Sequence, residues 1–227
     1  MANILTKIPL IGKIATLLTN KILRSIKPFK GSNDYWNKRY ENGRDSGDGS
    51  YRKLAEFKAE ILNDFVDKHT IESVIEFGCG DGNQITLSHY PHYTGFDISS
   101  TAIDLCKKIF TNDDTKCFKN LDDYNNETAE LSLSLDVLYH LVEDAIFEEY
   151  MQRLFKASRK FVIIYSSNTD VNPNNQPPHV KHRKFTHWVE KQHPKWNLID
   201  KIPNRYPFQG DSKTGSFADF YIYQQRD

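Results

Sequence analysis

Residues 74–82, VIEFGCGDG, decide the fold of this 227-residue chain. Val74, Ile75 and Phe77 form an apolar run of β-branched and aromatic side chains, suited to a buried strand. Gly78, Gly80 and Gly82 follow at alternate positions. Lacking Cβ atoms, glycines let the main chain approach a ligand and accept φ > 0. The stretch 93–98, YTGFDI, reads as a second short strand ending in Asp97. An acidic strand end about 20 residues past the first glycine is where an α/β nucleotide site carries its ribose-binding carboxylate. Glycine turn and acidic strand end together mark a site for an adenosine-containing ligand.

The spacing of the glycines narrows the ligand. Dinucleotide folds use G-x-G-x-x-G, with a helix N-terminus aimed at a pyrophosphate. Here the order is Gly78-x-Gly80-x-Gly82, with Glu76 just before it and Asp81 inside it. Two carboxylates beside the turn repel a pyrophosphate and suit a ligand carrying a sulfonium and an ammonium.

Outward from this stretch, strand and helix patterns alternate. A short aromatic helix covers 33–41, and after a Gly/Ser/Asp loop Ser50 is placed to cap a helix running to Lys68. A helix is expected over Asn83–Ser88 after the glycine turn, and another over Ser99–Phe110. A short strand follows at Lys116–Phe118. Leu131, Leu133 and Leu135 alternate with serines into a fourth strand ending at Asp136, and a helix spans Glu143–Ser158. FVIIY, 161–165, is a continuous apolar strand suited to burial on both faces. The order implies βαβ units and a parallel sheet. Residues 167–183, rich in Asn, Pro and His, are too long and polar for a simple connector and read as a functional loop. Phe185–Lys191 reads as helix, and Trp196–Ile202 and Phe217–Tyr223 as two final strands.

A hydrophobic content of 38% over 227 residues supports one substantial core. The three cysteines, Cys79, Cys106 and Cys117, have no paired spacing, which points to a reduced, cytoplasmic setting. The formal charge is zero, yet Lys7, Lys13, Lys21, Arg24, Lys27 and Lys30 fall in residues 1–30 without an acid among them. The remainder is therefore net acidic and offers no strong electrostatic footprint for nucleic acid. From Pro9 to Ile26 the pattern is that of an amphipathic helix, with Leu10, Ile14, Leu17, Leu18 and Ile22 on one side and Lys13, Asn20 and Arg24 on the other. It is too interrupted to span a bilayer, which takes ~20 mostly apolar residues. It also lacks a convincing small-residue cleavage site for a secretory signal. Two readings stay open for residues 1–30: a helix packed on the following domain, or an in-plane helix whose residues 9–27 touch the inner face of a membrane or a partner.

E-x-G-C-G-x-G at 76–82 resembles the first motif of class I S-adenosylmethionine-dependent methyltransferases, and the resemblance extends through GFDIS, LSLSLDVLYHL and FVIIYSS, over roughly residues 50–225. It implies a Rossmann-like, doubly wound, mostly parallel α/β sheet with a reversed terminal strand pair, spanning 31–227. S-adenosyl-L-methionine is the implied cofactor. Its implied binding residues are Glu76 near the ammonium, Gly78, Cys79, Gly80 and Gly82 beneath the methionine moiety, Asp97 on the ribose, and Ile98 and Leu121 at the adenine. Asn120 or Asp122 would receive the adenine amino group, with ordinary turn chemistry as the alternative for both. Asp136 would face the methionine end or the acceptor, or else cap the next helix. Tyr35, Trp36, Arg39 and Tyr40 resemble an N-terminal lid (31–50) that closes over the sulfonium, and an aromatic cluster packed on the sheet is the other reading.

A hydroxyl acceptor requires a base, whereas an amine needs only to be unprotonated. His140, just past the fourth strand, and His179 and His182, in the acceptor-side loop 167–190, are the candidates, with satisfied or solvated histidines as the alternative. His187, Arg183 and Lys184 beside them suit an acidic or phosphorylated acceptor. H-x-x-H at 179–182 has no obvious third ligand, so no metal is assigned. The segments YWNKRY, GSYRKLAEFKAEILNDFV and HVKHRKFTHWV also resemble bacterial methyltransferases associated with surface-glycan biosynthesis, which implies a sugar hydroxyl or lipid-linked glycan as acceptor. The rivals are N- or O-methylation of a small metabolite, a nicotinamide-dependent oxidoreductase, and a catalytically silent binding protein.

Overall fold

A computed structural model describes residues 29–226. The helix expected over residues 9–27 lies outside them. From Gly31 onward the chain forms one compact unit. Its strands are β1 (Ser73–Phe77), β2 (His92–Asp97), β3 (Lys116–Asn120), β4 (Ala129–Leu135), β5 (Ser158–Ser166), β6 (Trp196–Ile202) and β7 (Asp219–Gln225). The helices are α1 (Ser32–Glu41), α2 (Arg52–Lys68), α3 (Ser100–Ile109), α4 (Asp144–Lys156) and α5 (Phe185–Gln192).

The seven strands form one sheet in the order β3-β2-β1-β4-β5-β7-β6. β1 to β5 are parallel, and β7 lies between β5 and β6, antiparallel to both. This is the doubly wound sheet with the reversed terminal pair that the sequence implies. The winding reverses between β1 and β4, which opens a crevice at their carboxyl ends, the usual ligand position in such sheets.

Alternation along the strands sorts the core into two layers. Val74, Leu131, Leu133, Ile163 and Phe220 pack with Phe57, Leu62 and Val66 of α2 and Ile103 of α3. Ile75, Phe77, Val162, Ile164 and Tyr221 pack with Phe147, Met151 and Leu154 of α4 and Val189 of α5. Glu76 shares the pleat face of Val74 and is therefore driven toward α2, where it is 2% exposed.

Three local expectations are corrected. The helix expected over Asn83–Ser88 is a single 3-10 turn, Gln84–Leu87, because Ser88 is extended and Asn63 of α2 holds the departing chain. Its amide donates to the Leu87 carbonyl (2.9 Å) and its oxygen accepts from the His89 amide (3.1 Å). Ser50 does not cap α2; it ends a 3-10 turn, Asp48–Ser50, and no side chain caps the helix. Asn83 donates to the Ser50 carbonyl (2.7 Å), tying that turn to the glycine loop instead. The last strand lies two residues later than expected, which leaves Phe217 outside it and 42% exposed.

Gly95 on β2 makes room for a neighbour. A Cβ there would sit 2.8 Å from the Tyr93 hydroxyl and 2.9 Å from the Cys79 Cβ, and that hydroxyl reaches across to donate to Glu76 at 2.7 Å. Gly95→Ala is expected to destabilise the protein by about 1–3 kcal/mol through overpacking, read as a lower urea midpoint with an unchanged m-value.

Candidate active site

A cavity of about 450 Å³ opens over the carboxyl ends of β1 to β4. The volume falls within the range of roughly 300–1,000 Å³ typical of small-molecule sites. Its floor comes from the strand ends: Glu76 and Phe77, Asp97 and Ile98, Leu121 and Asp122, and Leu135 and Asp136.

The glycine turn is built around acceptors of its own. The Gly78 and Cys79 amides both donate to the Phe96 carbonyl (2.7 and 3.1 Å), and the Gly80 amide donates to Asp97 Oδ2 at 3.0 Å. A pyrophosphate cradle needs free amide N–H groups and a following helix N-terminus; this turn has committed those three amides and leads into a 3-10 turn. All three glycines have positive φ, as expected. Their missing Cβ atoms, however, leave room for protein. At Gly80 a Cβ would lie 2.3 Å from Ser46 Oγ, and at Gly78 2.5 Å from Val137 Cγ2. Gly82 does not line the cavity; its bare face meets Cys106 and Phe110 of the α3 region.

Carboxylates dominate the deep end. Asp97 accepts from Gly80 and, through Oδ1, from the Ser99 amide (2.9 Å), which leaves a lone pair on each oxygen for further donors. Burial nonetheless pushes its carboxyl up to about 6. Burial likewise pushes Glu76 up to about 7, opposed by the bond from Tyr93. Asp136 follows β4 with φ +60 and accepts from Lys58 Nζ (2.6 Å) and the Tyr139 hydroxyl (2.7 Å). Lys58, 1% exposed, rises from α2 between Leu54 and Leu62 on the buried stripe of that helix.

The roof is the segment expected as a lid. Trp36 and Tyr40 of α1 line the cavity together with Ser46 and Ser50. Tyr35 does not line it; its ring stacks on His179 at 4.1 Å. Arg39 is paired with Asp45 (3.0 Å). Asp81, read in the sequence as a carboxylate suited to a cationic ligand, does not line the cavity and instead latches the roof to the turn. Its Oδ2 accepts from the Ser46 amide (2.8 Å) and the Tyr51 hydroxyl (2.7 Å), while Ser46 Oγ accepts from the Asp81 amide (2.9 Å). Glu143 holds the other end, accepting from the amide and hydroxyl of Ser32 (3.0 and 2.6 Å) at the start of α1.

Of the three histidines proposed for catalysis, His140 alone lines the cavity. Its Nδ1 lies 3.0 Å from the His179 carbonyl. A carbonyl only accepts, so Nδ1 carries the proton and Nε2 of the neutral ring is an acceptor. Burial pushes its pKa down to about 4. His179 contributes that carbonyl and packs its ring between Tyr35 and His140. His182 is bound to Ser167 Oγ at 2.7 Å, away from the cavity, and His187 is exposed on α5. The basic residues of the loop are likewise engaged. Arg183 donates to the Leu141 and Val142 carbonyls (2.6 and 2.8 Å), and both it and Lys181 pair with Asp144 (2.7 Å).

At the adenine end, Ile98, Leu121 and Asp122 reach the cavity and Asn120 does not. Asn120 donates to the Ile98 carbonyl (3.1 Å) and accepts from the Asp122 amide (3.0 Å), the turn chemistry that was its alternative reading. Tyr124, Glu149, Tyr150 and Arg153 complete that end and were not foreseen. A lysine inside an apolar helical stripe was the legible signal for Lys58; α4 gave no such mark. Among the described residues no cluster of His, Cys, Asp or Glu is arranged to hold a metal ion.

No family model matches the chain, and no curated protein matches it. Solved structures do. The N-methyltransferase NodS from Bradyrhizobium japonicum WM9, in complex with S-adenosyl-L-homocysteine, superposes with a TM-score of 0.68 at 13% identity, over 87% of this chain and 100% of that one. The magnesium protoporphyrin IX methyltransferase ChlM from Synechocystis PCC 6803 with bound S-adenosyl-L-homocysteine gives 0.59 at 14% identity, over 85% and 97%. The fold is that of the class I methyltransferases. At such identities the likeness extends to the fold, and the chemistry has to be argued from the site itself.

Asp81→Ala removes the latch. Exchange of the Ser46 amide is expected to quicken by about ten- to a hundredfold, the worth of a hydrogen bond to a charged acceptor. The Ile163 amide in the central sheet should be unaffected, as read by hydrogen–deuterium exchange.

Proposed function

We propose that the chain is an S-adenosyl-L-methionine-dependent methyltransferase acting on a hydroxyl, with a sugar or lipid-linked glycan as the acceptor. The observation that carries this reading is the unprotonated Nε2 of a neutral His140 on the wall of a cavity whose floor is an acidic, adenosine-sized crevice. When bound, the cofactor supplies an electrophilic methyl group on a sulfonium. The residues fit it: Asp97 keeps lone pairs for the ribose hydroxyls, Glu76 suits the ammonium, and Ile98, Leu121 and Tyr124 offer an apolar slot for the adenine. Trp36 and Tyr40 roof the site with ring faces that favour a cation.

This chain's part is alignment, exclusion of water and removal of one proton. His140 takes the proton of the attacking hydroxyl on Nε2, while the His179 carbonyl fixes the ring by holding Nδ1–H. A base of low pKa suffices because the hydroxyl becomes strongly acidic only as its oxygen acquires the methyl group. The glycan acceptor rests on the sequence resemblance and on the basic helix read over residues 9–27, which would bring the enzyme to a membrane carrying such a substrate. No helix among the described residues is long and apolar enough to cross a membrane.

Incubation with labelled methyl donor and fractionated cell extract should carry label into polysaccharide or lipid; label in protein, nucleic acid or small metabolites alone would refute the acceptor. His140→Ala should lower kcat by roughly 10²–10⁴-fold, with affinity for S-adenosylhomocysteine within a few-fold of wild type. An unchanged kcat removes the histidine from the chemistry.

Binding should also be linked to protons. Glu76 is raised to about 7 in the free protein, and a cationic ammonium favours its ionised form. Affinity for S-adenosylhomocysteine should therefore rise with pH from about 6 to 8, with release on the order of half a proton from Glu76 at pH 7. Calorimetry in buffers of different ionisation enthalpy reads this directly.

A further inference from the structure

Among the described residues at the deep end of the cavity, Lys58 carries the charge that opposes the rest. Glu76, Asp97 and Asp136 line the same space. The ammonium has three donors, and among the described residues one is committed, to Asp136 Oδ2 at 2.6 Å. The face of Tyr165 lies 5.4 Å from the ammonium and offers no strong acceptor. The far side of Asp136 is held by the Tyr139 hydroxyl, so the carboxylate cannot swing to take a second donor from the lysine. A cation 1% exposed, on a cavity wall with donors to spare, is a built anion site.

Its surroundings select the anion. Gly49 of the roof closes directly over Asp136; a Cβ on it would lie 2.8 Å from Oδ2. The Lys58 end is therefore roofed and largely shielded, with Lys58 1% and Asp136 13% exposed, which strengthens a charge-assisted hydrogen bond there. Glu76, one strand away on the same face of the sheet, presents the opposite charge to the same space. A buried acid and a buried base lining one closed end match a zwitterion, a group carrying ammonium and carboxylate on neighbouring atoms. Simple anions gain nothing from this pairing, because the three nearby carboxylates repel them.

Resting on the cofactor assignment above, we infer that Lys58 is the receptor for the α-carboxylate of the cofactor's amino-acid tail. It is shared between that carboxylate and Asp136, with Glu76 taking the α-ammonium. The cavity thereby distinguishes nucleosides that carry a free amino acid from those that do not. Asp136 is the positioning residue, holding the Lys58 ammonium at the wall in the empty protein so that little order has to be gained on binding.

Calorimetric affinities for three thioether nucleosides test this: S-adenosylhomocysteine, its decarboxylated analogue, which keeps the ammonium alone, and methylthioadenosine, which lacks the whole tail. Wild type should bind S-adenosylhomocysteine roughly ten- to a hundredfold tighter than the decarboxylated analogue, the worth of one charge-assisted bond. In Lys58→Met that gap should close, while methylthioadenosine binds within about twofold of wild type. Retained methylthioadenosine binding also reports that the variant is folded. Equal wild-type affinities for the first two nucleosides overturn the inference even if the variant does not fold, and so does a gap that survives in Lys58→Met. Failure of wild type to bind any of the three would instead overturn the cofactor assignment itself, and this inference with it.

Discussion

Glu76, Asp81, Asp97 and Asp136 crowd the ends of three adjacent strands, and among the described residues a single buried cation, Lys58, balances them. Burying carboxylates in this number is unfavourable unless each is hydrogen-bonded or paired, and the surrounding structure is organised to meet that demand. Asp97 is held by the amides of Gly80 and Ser99, Asp81 by Ser46 and Tyr51, Glu76 by Tyr93, and Asp136 by Lys58 and Tyr139. These bonds also dock the roof onto the floor, since Ser46 and Tyr51 belong to the segment above the cavity. The residual cost is visible in Glu76 and Asp97, whose protonation is favoured by burial in the empty protein. A ligand carrying positive charge relieves it.

The same arrangement explains why the crevice is poorly matched to a dinucleotide. Amides of the glycine turn that would face a pyrophosphate point at Phe96 and Asp97, and the helix whose dipole would assist it is replaced by a 3-10 turn. The glycine turn has spent these amides on the protein's own acceptors and left carboxylates facing the cavity. That polarity favours hydroxyls and cations.

Of the three candidate histidines the structure brings one to the cavity. His140, His179 and His182 were equivalent by residue type, yet one ring reaches the cavity, one serves through its carbonyl, and one bonds to Ser167. The loop's cations, which in sequence suggested an acidic acceptor, are engaged by Asp144 and by main-chain carbonyls.

Much of this was legible beforehand. VIEF, YTGFD, LSLSL and FVIIY announce their strands because burial on a sheet face imposes its own residue pattern over a few consecutive positions, and the glycine turn and Asp97 are recognised by position relative to those strands. Short-range chemistry carries such information in the chain itself. The pairings of Lys58 with Asp136 and Asp81 with Ser46, the demotion of Asn120 to a turn, and the tautomer of His140 could not be read that way. Each depends on partners between 2 and 78 residues apart whose competing bonds are decided only when the sheet brings them together. Sequence determined which strands form and which carboxylates end them; tertiary packing decided which polar groups would be consumed by the protein and which left for a ligand, because a hydrogen-bonding group has few partners to give and local pattern does not say who arrives first.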